Sequence, residues 1–128
     1  EQACALAVEY AKVREQFGKP IGAFQAIKHR CADMALRAEG AAHLVAFACL
    51  KLDADAPDAA LQVAAAKLKA GHAAHEGARA AIQIHGGIGF HAECHAHWFM
   101  KRAHVYDRLG GNMDAQAQRV FREPSPLW

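Results

Sequence analysis

The chain has 128 residues, enough for one domain with a hydrophobic core of its own. Of these, 53% are apolar and 22% charged, a balance that excludes a disordered polyelectrolyte. A formal charge of +2, with basic and acidic residues interspersed, excludes a nucleic-acid-binding polycation. No signal peptide is visible, and no apolar run is long enough to span a bilayer.

Alanine is abundant and aromatics make up only 8%, so helices that approach closely are favoured over a sheet. The first predicted helix runs from Glu1 to about Glu15, with Cys4, Ala7, Val8 and Ala11 at helical spacing. Phe17-Gly18-Lys19-Pro20 ends it. The second carries Phe24, Ile27, Cys31, Met34, Ala38, Ala41, Val45, Ala48 and Leu52 in steps of three or four, one continuous apolar stripe expected to be buried throughout. It ends before Asp53, in the polar turn up to Pro57. The third begins at Asp58, with Leu61, Ala65, Leu68, His75 and Ile82 on its buried side, and stops at His85-Gly86-Gly87. A fourth covers His95 to about Leu109, anchored by Trp98, Phe99, Ala103, Val105 and Tyr106, and Gly110-Gly111-Asn112 breaks it. A fifth runs from Met113 to about Phe121 and leads into a tail at Glu123-Pro124-Ser125-Pro126.

No segment reads as a strand, and there is no internal repeat or domain boundary. The expected fold is all-α: one domain over residues 1–128, an up-down bundle of three long helices with a shorter C-terminal pair. The chain opens on Glu1-Gln2-Ala3-Cys4, without an initiator methionine and in mid-helix, so it reads as a fragment of a longer chain.

Two segments carry candidate chemistry. In Arg14-Glu15-Gln16-Phe17-Gly18-Lys19-Pro20-Ile21-Gly22, the arginine stands at a helix end before a glycine turn, where its planar fork can match phosphate oxygens or simply complement the helix dipole. In Gln83-Ile84-His85-Gly86-Gly87, the paired glycines either let backbone amides approach an anion or only stop a helix.

Cys4, Cys31, Cys49 and Cys94 include no C-x-x-C pair, which argues against a zinc ribbon or a thioredoxin motif and for a reducing cytoplasm. Cys31 and Cys49 lie in apolar helical runs and read as small buried hydrophobes. His91, Cys94, His95 and His97 suggest a metal site, but a helix starting near His95 cannot point all four donors at one ion. No native metal site is expected there. His72 and His75 form a second near pair on the third helix.

The strings Arg14 to Gly22 with Phe24-Gln25-Ala26-Ile27, Ala32-Asp33-Met34, Ala66-Lys67, Ala81 to Phe90 with Glu93, and Phe99-Met100-Lys101-Arg102 together resemble the acyl-CoA dehydrogenases. These flavoenzymes desaturate an acyl-CoA between its α and β carbons. The resemblance implies FAD as cofactor and Arg14 as a contact to the diphosphate of FAD bound to a neighbouring subunit, with Phe17 beside it. It places Gln25 near the adenine end, and Gln83, Gly86 and Gly87 along the adenosine and diphosphate. It further implies an acyl-CoA substrate, an electron-transfer acceptor, and a homo- or hetero-oligomer built through the helical bundle.

One departure concerns the base. Where many members of the family carry a catalytic glutamate after the fourth helix, this chain has Gly110, followed by Gly111 and Gln116, which still match. Glycine cannot remove a proton, so no residue here is assigned as catalytic. Asp114 reads as a first-turn acid rather than a substitute. Some branches place the base several turns before the position of Arg14, ahead of residue 1. Three functions therefore remain open: the C-terminal domain of a catalytic dehydrogenase, a non-catalytic subunit of a heteromeric one, or a flavin-free helical interaction module.

Overall fold

A computed structural model describes residues 1–122. Among them are five α-helices: α1 (Gln2–Val13), α2 (Gln25–Asp53), α3 (Ala59–His85), α4 (Ala96–Arg108) and α5 (Met113–Arg122). The all-α bundle expected from the periodicity is present, with α3 at its centre in contact with all four other helices. The proposed tail at residues 123–126 lies outside the described residues.

Alanine sets the packing. Ala7 and Ala11 on α1 meet Ala80, Ala81 and Ile84 on α3 and Met34 on α2, with Ile21 closing the cluster. These side chains carry little bulk, so the backbones come close and the core is made of many small contacts rather than a few large ones.

Four expectations need correction. A minimal strand pair does exist: Glu15–Gln16 pairs antiparallel with Lys19–Pro20. Phe17 and Gly18 between them take φ of 54° and 75°, the pattern of a two-residue type I′ hairpin turn. The α2 stripe is not buried throughout, because Val45 is 43% and Leu52 54% exposed. Along that far half of α2, Ala41 and Ala48 are buried but their neighbours are not. Cys49 is exposed there as well. On α4 the expected anchors Trp98, Val105 and Tyr106 are largely exposed, while the expected Ala103 is buried and Ala96 joins it in seating the helix.

Candidate functional site

The C-terminal ends of α1 and α3 open onto a groove of about 710 Å³, a size typical of cofactor sites. Its walls come from segments far apart in sequence. Arg14 caps α1 with an extended backbone (φ −74°, ψ 122°) that turns the chain into the hairpin. Its N–H donates to the Tyr10 carbonyl at 2.9 Å, and its own carbonyl accepts from Ile21 at 2.8 Å, so the backbone at Arg14 is tied on both sides. The side chain is exposed, and among the described residues no carboxylate pairs with it. An unpaired guanidinium at a groove mouth is available to an anionic ligand.

Phe17 follows at the hairpin tip, 90% exposed and in the left-handed region that bulky residues avoid. Its ring meets Phe24 edge-on at 6.1 Å, so an aromatic surface faces the groove without being part of the core.

The opposite wall is the end of α3. Gly86 adopts φ 64° and ψ −141°, a conformation that only glycine takes readily, and starts a 3-10 turn over Gly86–Phe90. The Gly86 N–H is bonded back into the last turn of α3, so what the two glycines offer a ligand is backbone without a Cβ, with open space beside both. Gln83, one turn back on α3, is exposed beside them.

Of the residues singled out in the sequence, Arg14, Phe17, Gln83, Gly86 and Gly87 all line this groove. Gln25 does not. It is the exposed first residue of α2, and its neighbours Phe24 and Ala26 line the groove in its place. Motif reading missed Tyr10, His85, Ile88 and His91, which also line it. Tyr10 could have been found, since it lies one helical turn before Arg14 on the same face. His85 is buried and donates from Nδ1 to the Ala81 carbonyl at 2.7 Å.

The Gly110 region lies between α4 and α5. The Gly110 carbonyl accepts from Gln116 Nε2 at 2.8 Å, and Gly111 does so at 3.2 Å. Asn112 caps α5, its Oδ1 accepting from the Ala115 amide at 3.0 Å, and Asp114 sits in the first turn. Gly110 has no side chain, and Asp114 is a first-turn residue of α5.

His91 lies in extended backbone after the 3-10 turn, and α4 starts only at Ala96, so His91 and His95 are not one turn apart on a helix. Among the described residues, no three His, Cys, Asp or Glu side chains converge in a way that could hold a metal. No described helix is long and apolar enough to cross a membrane.

The described residues form a helical bundle domain with a groove at the joined ends of α1 and α3, flanked by an arginine without a described ion-pair partner, an exposed aromatic and a glycine turn. The chain matches the family described as acyl-CoA dehydrogenase, C-terminal domain, over residues 1–123. It is 46% identical over 128 residues to the acyl-CoA dehydrogenase IpdE2 of Mycobacterium tuberculosis, covering all of this chain and 37% of that protein. Among solved structures it resembles the butyryl-CoA dehydrogenase of Megasphaera elsdenii, with TM-score 0.87 and 35% identity over 93% of this chain and 31% of that one. It also resembles an FAD complex of PigA, with TM-score 0.88 and 32% identity over 94% of this chain and 31% of that one. The chain belongs to the acyl-CoA dehydrogenase family and corresponds to its C-terminal helical domain. It spans about a third of the length of these three proteins.

Proposed function

We propose that this domain supplies the adenosine-diphosphate side of an FAD site in an acyl-CoA dehydrogenase, the flavin itself being carried by a neighbouring subunit. The observation that carries this reading is the convergence of Arg14, Phe17, Gln83, Gly86 and Gly87 on one groove. The donor set suits the group. A cation without a protein partner among the described residues matches a diphosphate, backbone without a Cβ at Gly86 and Gly87 leaves its oxygens room to approach, and an exposed ring offers a face to a planar base. The family resemblance assigns Gln25 to the adenine end, and its neighbours Phe24 and Ala26 line the groove.

Bound FAD supplies hydride acceptance during α,β-desaturation of an acyl-CoA. The residues of this chain bind and orient it: Arg14 neutralises phosphate charge, and the Gly86–Gly87 turn fixes the position of the diphosphate. They do not provide the base, because the segment around Gly110 has none. On this reading either the base lies in sequence outside residues 1–128 or the chain is a subunit without one, and the electrons would pass to a separate acceptor. The missing carboxylate at Gly110 favours a second reading, a supporting subunit in a heteromeric dehydrogenase. Leu36, Phe47 and Leu50 leave apolar side chains on one face of α2, which supports assembly through the bundle, homomeric or heteromeric. The free thiols support a cytoplasmic setting.

The test is titration of the 128-residue chain with ADP, followed by amide chemical shifts. Weak saturable binding is expected, with shifts at Arg14, Gln83, Gly86 and Gly87, and Arg14→Gln should weaken it about tenfold, as for the loss of a charge-assisted hydrogen bond. Shifts spread over the bundle, or an Arg14→Gln variant that binds unchanged, would sink the assignment. No dye reduction by acyl-CoA is expected from this chain alone.

A further inference from the structure

The seam between α1 and α3 is made mostly of small side chains, with Ala7 and Ala11 against Ala80, Ala81 and Ile84. Such a seam brings two helices close but resists sliding poorly, because no large knob engages a hole. At its groove end the seam changes character. Tyr10 on α1 stacks on His85, the last residue of α3, with ring centroids 4.2 Å apart and planes 22° from parallel. The imidazole is held from its own side by the 2.7 Å bond from Nδ1 to the Ala81 carbonyl. It is only 6% exposed, and Ala81 is fully buried.

Each ring is coupled to one wall of the groove. The Tyr10 carbonyl accepts the Arg14 N–H at 2.9 Å, so Tyr10 is bonded to the residue that starts the hairpin wall. His85 directly precedes Gly86, whose N–H is bonded into the last turn of α3. Displacing one ring across the other therefore moves Arg14 relative to the Gly86–Gly87 turn. A parallel stack restricts both lateral shift and tilt, which the alanines do not.

We propose that the Tyr10–His85 stack is the positioning device of the groove, holding the Arg14 wall and the glycine wall in register for a diphosphate. The functional part rests on the flavin reading above. The rings act through their neighbours and need not touch the ligand.

The experiment separates the ring from the hydrogen bond and the register from the ligand. His85→Phe keeps an aromatic face and loses the Nδ1 donor. His85→Asn keeps a donor and loses the ring. In the ligand-free chain, hydrogen exchange at the Arg14 and Gly86 amides should rise about fivefold in His85→Asn and Tyr10→Leu, as expected when an aromatic pair is lost. It should return to within about twofold of the parent in His85→Phe. Amides along the middle of α2 and α3 should be unchanged, which excludes general destabilisation. In the same series, ADP affinity should fall about fivefold where exchange rises and recover in His85→Phe. Exchange in His85→Asn equal to the parent, or loss in His85→Phe as large as in His85→Asn, overturns the positioning role. If exchange behaves as expected but the parent chain does not bind ADP at all, the flavin reading fails while the register device stands.

Discussion

Phe17 combines two properties that core residues do not share: a left-handed backbone and 90% exposure. A bulky side chain in that region carries about 1 kcal/mol or more of strain, and little burial offsets it. Asparagine tolerates the conformation and is favoured before glycine in a type I′ turn. Phe17→Asn is therefore expected to raise the unfolding free energy by about 1 kcal/mol and to weaken ADP binding. Urea denaturation and the ADP titration check the two halves separately, and a variant less stable than the parent would remove the strain argument. The sequence marked Phe17 through its motif, but not its strain. The turn was read as a helix stop, because two-residue strands leave no periodicity to detect. Gln25 shows the opposite limit. Its place in a motif string was legible, but whether a side chain at the start of a helix lines a groove depends on helix rotation, which the string does not encode.

The junction between α4 and α5 shows how elements take over where a reactive side chain is absent. Gln116 on α5 is only 2% exposed, and its amide donates to the carbonyls of Gly110 and Gly111 while Oε1 accepts from Arg119 at 3.3 Å. It ties the turn between the two helices. Gln116→Ala leaves these carbonyls without their partner and should cost about 1–2 kcal/mol, lowering the thermal midpoint. A midpoint unchanged within error would mean that solvent satisfies the turn equally well. Resemblance had marked Gln116 as a matching position in a segment expected to carry catalysis, and its observed contacts are structural. The helices themselves were legible because a 3.6-residue period persists over α2 and α3. The exposed residues Val45, Leu52, Trp98 and Val105 were not foreseen as such. Periodicity reports which face of a helix is apolar, whereas coverage depends on how many neighbours the whole assembly places against it.

At the scale of the molecule, pH acts through the seam between α3 and α4. His75 on α3 lies 4.7 Å from His104 on α4, ring centre to ring centre, and its Nε2 is buried without a hydrogen-bond partner among the described residues. Burial first, and then His104 and Arg79, hold its pKa below the ordinary 6.5, while Asp107 and Glu76 oppose them. A histidine whose folded pKa is depressed binds its proton more readily when unfolded. Its contribution is therefore neutral above pH 6.5 and increasingly destabilising as pH falls below that value, levelling off once the folded form also titrates. Urea midpoints should fall between pH 7.5 and pH 5.5, and less steeply in His75→Leu. With nine histidines in the chain, the difference between variant and parent isolates this residue. Equal slopes in the two proteins would assign the pH dependence elsewhere.

The groove walls, Arg14 and the Gly86 turn, belong to distant parts of the chain and meet only through the packing of α1 on α3. No contiguous peptide from this sequence can present both. If the proposed diphosphate ligand spans them, it would act as a removable cross-link that recognises the folded state alone. At a hundred times its dissociation constant it would add about 2.7 kcal/mol to the resistance of the bundle to unfolding. In a cell short of that ligand, the same domain would open more often and offer its alanine seam to proteases, so that supply of the ligand would set the lifetime of the protein as well as its occupancy.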